Sequence, residues 1–306
     1  MFRLGAVALF TALTSLAPAV HAQTLKMASI SYEAYQPSTV ENATPGGPAS
    51  DRSIRVARAE LAYPLFFNDG ATMLLPSLRY HYIDMGSRNA TPENATKLPF
   101  DGLHAAMLNV AVMQRVTKWW SLIGSPGIGF ASDTSGGPTG DDLVLSASLI
   151  SLFEVTPTLT LGAGAAVNYR PGNTMVFPLL PFDWQPTTKV AIQGMLPMAI
   201  SARYRLLEPL TVALEGSLEY ERYNVDPEKF GAHRAHIQST ALKGGPALII
   251  HLSRMIHLHP YGGLATGRKL EYFLDGESAE HVTLRGGWYG GLELWFGTSG
   301  YRADMQ

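Results

Sequence analysis

The stretch LTVALEGSLEYE, residues 210–221, decides the fold. Leu210, Val212, Leu214, Gly216, Leu218 and Tyr220 take alternate positions, and Thr211, Ala213, Glu215, Ser217, Glu219 and Glu221 fill the places between. In a strand successive side chains point to opposite faces, so one face here is apolar and the other carries three carboxylates; no helical face collects either set. Residues 198–206 repeat the pattern, with Met198, Ile200, Ala202, Tyr204 and Leu206 opposite Ala199, Ser201, Arg203 and Arg205. So do 159–170 and the last such stretch, where Val282, Leu284, Trp288, Leu292, Leu294 and Phe296 share a face opposite Thr283, Arg285, Tyr289, Glu293 and Trp295.

A soluble β-sandwich also alternates. Three features favour a membrane barrel instead. The segments are longer than the about 5 or 6 residues usual in soluble strands and reach the about 9 to 11 that a transmembrane strand needs. Their polar faces carry small and charged residues, as an enclosed lumen would. Aromatic residues gather near segment ends, where Trp119, Trp120, Phe177, Trp184, Tyr220, Tyr223, Trp288 and Phe296 are expected to form interfacial girdles.

The predicted strands are 24–35, 53–67, 71–84, 103–116, 119–132, 142–154, 158–170, 174–184, 189–195, 198–206, 210–223, 235–252, 257–273 and 281–297. Short connections at 68–70, 117–118, 156–157, 185–188, 208–209 and 253–256 alternate with long polar ones at 36–52, 85–102, 133–141, 224–234 and 274–280. This is the pattern of short periplasmic turns and longer outward loops, and it places both chain ends in the periplasm. The fold expected is all-β: a closed antiparallel transmembrane β-barrel of about 14 strands. Twelve is the alternative, because Pro178, Pro181 and Pro197 interrupt pairing in 174–206.

Residues 1–22 read as a secretory signal peptide and 23–306 as the barrel. Arg3 is the positive n-region, Leu4–Leu16 is the apolar run, and Val20-His21-Ala22 sets cleavage before Gln23. The run is too short for a helical span of about 20 residues. The chain contains no cysteine, which excludes disulfides, thiolate metal sites and a Cys nucleophile and suits an oxidising periplasm. A net charge of −2 with no basic block excludes nucleic acid as partner. The partners expected are outer-membrane lipid and a small solute.

The chain is similar to a family of uncharacterised proteobacterial outer-membrane β-barrel proteins, catalogued as a domain of unknown function. The similarity rests on Phe177-Pro178-Leu179-Leu180 and Trp184, the turn Gln185-Pro186-Thr187-Thr188, and Leu196-Pro197 leading into Tyr204. It implies a barrel in the outer membrane and no catalytic or binding residue.

The candidate functional residues are the inward charges Arg58, Glu60, Arg79, Arg203, Arg205, Glu215, Glu219, Glu221, Arg285 and Glu293. They read either as a lumen lining that selects what passes or as a mutually neutralising network that fills the interior. Barrels of about 8 strands are filled by side chains and those of about 16 to 18 hold water, so about 12 to 14 lies between. Arg203 and Arg205, beside Glu215 and Glu219 on the next strand, are expected to pair with them in part. His251 and Ser253 are spaced to share a face, with His257 and His259 beyond the turn. A hydrolase needs a third, orienting group, and no carboxylate is near in sequence, so no catalytic residue, metal site or cofactor is assigned. The Asn-Ala-Thr triplets at Asn42, Asn89 and Asn94 read as polar loop sequence.

The function expected is a passive pore or binding barrel for a small solute. The alternatives are a structural or adhesion barrel with a closed lumen, and a lipid-modifying enzyme.

Overall fold

In the computed structural model, which describes residues 24–37, 51–88, 102–134, 137, 139–170 and 173–299, the chain forms a closed antiparallel barrel. Its strands are β1 (Thr24–Tyr35), β2 (Asp51–Ala62), β3 (Thr72–Arg88), β4 (Gly102–Arg115), β5 (Trp120–Ser132), β6 (Leu143–Thr156) and β7 (Leu159–Arg170). There follow β8 (Asn173–Trp184), β9 (Val190–Leu196), β10 (Ala199–Leu207), β11 (Leu210–Val225), β12 (Ala235–His251) and β13 (Ile256–Leu274). The last, β14, comes in two pieces, Glu277–Leu284 and Gly287–Ser299. Each strand pairs with its sequence neighbour, and β1 pairs with β14 to close the ring of fourteen. The predicted signal peptide and the three Asn-Ala-Thr triplets lie outside the described residues.

The alternation becomes an inside and an outside. On β6 the buried residues are Val144, Ser146, Ser148, Ile150 and Leu152, while Leu143, Leu145, Leu149 and Phe153 are exposed. Leu214 on β11 is 64% exposed, in line with Ile30, Val176 and Trp288 on other strands. Soluble monomers rarely expose so continuous an apolar surface.

Three expectations need correction. The connection at 274–280 is not long: Asp275 and Gly276 both have positive φ, 51° and 91°, and make the two-residue turn that Asp-Gly favours in a hairpin. The face assigned to Leu284 is also wrong. Arg285 and Gly286 break β14, so Leu284 is buried in the interior whereas Trp288 is exposed. Finally, of the residues expected in the girdles, Phe177, Tyr220 and Tyr223 are interior and not interfacial, whereas Trp119, Trp184, Trp288 and Phe296 are exposed.

The wall is uneven in height. The β9–β10 hairpin turns back at Pro197-Met198, and above it β8 and β11 meet through side chains, with the Tyr220 hydroxyl donating to Met175 Sδ at 3.3 Å. The ring therefore carries fourteen strands at its base and twelve above that hairpin, which is where the prolines raised the alternative count.

Directly beside it the tall β11–β12 hairpin leaves the wall and crosses the lumen. Asn224 pairs with Ser132 of β5, six places round the ring, and its carbonyl accepts from the Asp133 amide at 3.1 Å. Its side-chain amide donates to Asp142 Oδ1 at 2.6 Å, and Lys229 reaches Asp133 at 3.3 Å. Both faces of the hairpin are consequently buried, Tyr223, Val225, Ala235 and Ile237 on one and Arg222, Asn224, His236 and Gln238 among the polar residues. Simple alternation would have left Tyr220, Arg222 and Asn224 on the outer surface.

Candidate functional site: a charged chamber in the lumen

Two apolar layers fill the barrel ends. Near the short turns, Met73, Leu75, Met113, Ile123, Leu152, Phe177 and Leu179 belong to one packed cluster. Near the long connections, Ile54, Ile83, Leu103, Tyr223, Val225, Ile237 and Leu270 belong to another, to which the crossing hairpin contributes the centre. Between them lies a cavity of about 360 Å³. This is within the range of small-molecule pockets.

Basic and acidic side chains line the cavity in equal number: Lys26, Arg58, Arg79, Arg170, Arg203 and Lys243 against Glu33, Asp183, Glu215, Glu219, Glu221 and Glu293. Their pairing runs both along the wall and across the lumen. Lys243 lies 2.8 Å from Glu33 and 2.6 Å from Glu219, and Arg58 lies 3.0 Å from Glu219 and 3.8 Å from Glu33. The Tyr35 hydroxyl donates to Glu219 at 3.1 Å. Lys26 meets Glu293 at 2.7 Å, and His259 stands between Glu293 at 3.2 Å and Glu215 at 3.4 Å. Glu221 is engaged by His81 at 2.9 Å and by the Tyr223 hydroxyl at 2.6 Å. Buried charges of this kind persist only when partnered and hydrogen-bonded, and here residues 34 to 267 positions apart in sequence supply most of the partners.

Of the ten expected lining residues, Arg58, Arg79, Arg203, Glu215, Glu219, Glu221 and Glu293 line the chamber. Glu60 is buried beside Arg79 at 3.6 Å, and Arg205 shares the inward face of β10 with Arg203. Arg285 does not belong: it sits exposed in the break of β14. The expected partial pairing holds for Arg203 and Glu215, which are electrostatic neighbours: Arg203 donates to Ser201 Oγ at 3.1 Å, and that hydroxyl reaches Glu215 at 3.5 Å. Glu215 and Glu219 take further partners on other strands, His259 for the first and Lys243 and Arg58 for the second.

Lys26, Glu33, His81, Lys243 and His259 are further members that the sequence reading left out. Glu33 was legible, since it alternates with the outward Tyr32 and Ala34, and Lys243 follows the inward Ala241 two places earlier. His259 was read as lacking a carboxylate because Glu215 and Glu293 lie 44 and 34 positions away in sequence; the strand register sets Glu293 opposite it, and Glu215 reaches it from two strands along. The His251–Ser253 pair is not assembled as a hydrolase. Ser253 Oγ accepts from the Met255 and Ile256 amides within its turn, and His251 is directed to Thr211 at 3.2 Å and to His257 at 2.7 Å. No cluster of three metal-ligating side chains occurs among the described residues.

The family described as "Domain of unknown function (DUF6268)" matches residues 20–275. No curated protein matches the chain. Among solved structures, the NanC porin aligns at 8% identity over 88% of this chain and 98% of its own, with a TM-score of 0.39. A variant of the TodX monoaromatic hydrocarbon channel aligns at 9% identity over 88% and 89%, with a TM-score of 0.41. OccAB4 of Acinetobacter baumannii aligns at 9% identity over 90% and 98%, with a TM-score of 0.31.

Proposed function

This chain belongs to the DUF6268 family, and we propose that it spans the outer membrane and passes a small polar solute through its internal chamber. The single observation that carries the reading is the roughly 360 Å³ charge-lined cavity held between two apolar layers inside a closed barrel. A wall whose outer face exposes Ile30, Leu149, Val176 and Leu214 fits hydrocarbon, and a polar interior fits water and solute. A wide ion channel is disfavoured by the apolar layers, which narrow the path at both ends.

A second reading, a structural barrel whose lumen stays shut, is favoured by the Asn224 ties that hold the crossing hairpin to β5. Vesicles reconstituted with the purified protein separate the two. Passage predicts release of trapped D-xylose faster than from protein-free vesicles, with raffinose retained. Release no faster than from empty vesicles would support the shut barrel.

A further inference from the structure

The chamber's charges balance in number but not in pairing. Each of its six carboxylates has a polar partner: Glu33 and Glu219 share Lys243 and Arg58, Glu221 has His81, Glu215 has His259, Glu293 has Lys26, and Asp183 accepts from the Gln185 amide at 3.3 Å. The basic side is less evenly provided. Arg170, the last residue of β7, lines the chamber, and among the described residues no carboxylate lies within ion-pair distance of its guanidinium. Its electrostatic neighbours are Tyr220, Glu221, Arg222 and Tyr223 at the root of the crossing hairpin. Of these, Glu221 is already committed to His81 and Tyr223, and Arg222 repels it. A cation in an enclosed lumen without a counter-charge is a strong electrostatic host for one. A guanidinium offers paired N–H donors that match the two oxygens of a carboxylate or phosphoryl group.

We propose that Arg170 receives the oxyanion of the solute, so that the chamber takes small molecules bearing a carboxylate or phosphoryl group. This deepens the reading of a solute-passing barrel and rests on it. The place of Arg170 under the hairpin puts the bound anion against Tyr220 and Tyr223, the residues with which the hairpin leaves the wall.

The test is equilibrium binding to the folded protein in detergent, with inorganic phosphate and succinate as probes and choline as the cationic control. Saturable binding of phosphate or succinate and none of choline is expected. Arg170→Gln should weaken anion binding by about tenfold or more, the effect of losing a charge-assisted contact, while Arg170→Lys retains part of it. Folding of each variant is checked by the faster migration of unheated barrel on a gel. No saturable anion binding by the parent, or equal binding by a folded Arg170→Gln variant, overturns the proposal. D-xylose release from vesicles of the parent protein judges the broader reading separately. Release without anion binding removes only the oxyanion assignment, and anion binding without release removes only the passage.

Discussion

Lys243 donates to both carboxylate oxygens of Glu33, at 2.9 and 2.8 Å, although two strands of the wall stand between theirs. The contact is a chord across the curved interior, and both side chains are buried. Removing one partner strands the other. Lys243→Met should cost about 3 to 5 kcal/mol, because Glu33 then loses its nearest cation and keeps the more distant Arg58 and the Tyr35 hydroxyl. Adding Glu33→Gln to that variant should restore part of the loss. Urea unfolding of the detergent-solubilised barrel, followed by the shift between folded and unfolded gel bands, measures both; a Lys243→Met barrel as stable as the parent would show that the chord carries no stability.

The outer face gives a contrasting case. Leu214 is 64% exposed within the apolar band of β11, so Leu214→Arg should cost about 2 to 4 kcal/mol of folding into lipid if it lies near the midplane. Glu219, five residues on and inward, accepts from Lys243, Arg58 and Tyr35. Glu219→Gln should therefore also destabilise the barrel, but in detergent as much as in lipid. A Leu214→Arg loss that is equally large in detergent would count against lipid contact at that position.

Orientation is tested with single cysteines, since the chain has none of its own. Glu277 lies beside the tight Asp275-Gly276 turn and Thr156 beside a short turn at the other end, and both are exposed. In intact cells Glu277→Cys should react with a membrane-impermeant maleimide and Thr156→Cys should not. The reverse pattern would turn the barrel over.

The crossing hairpin sets the resistance of the lumen. Replacing residues 223–237 with two glycines removes Tyr223, Val225 and Ile237 from the upper apolar layer. Release of D-xylose from vesicles and ion conductance in planar bilayers should both rise several-fold. Unchanged conductance would place the barrier in the lower layer, around Met73 and Met113.

The architecture was legible because a barrel wall is a repetitive object. Alternation at 210–221 or 198–206 needs no knowledge of distant residues, and the proline-marked turns fixed where strands stop. What was not legible is everything that depends on the lumen being crossed. Tyr220 alternates with Glu219 as a lipid-facing residue would, and only the departure of the hairpin from the wall turns it inward. Glu215 and Glu219 were assigned partners only on the adjacent β10, where Ser201 and Arg203 do meet Glu215, whereas their other partners lie on β1, β2, β12 and β13. Leu284 was misassigned because a two-residue break reverses the parity of everything before it. Glu33 shows the opposite situation, since its parity is clean and a longer list of inward charges would have contained it.

The short β9–β10 hairpin has a mechanical consequence. Considered as a hoop squeezed by the lateral pressure of a bilayer, the wall resists through its inter-strand rungs acting in parallel. The β11–β12 seam has sixteen paired positions and the β8–β9 seam five. Radial strain concentrates in the weaker seam. Two of the residues facing each other across it are Asp183 and Gln193, and both line the chamber. Bilayer tension and thickness are thus coupled, through the most compliant arc of the ring, to the spacing of groups that line the chamber.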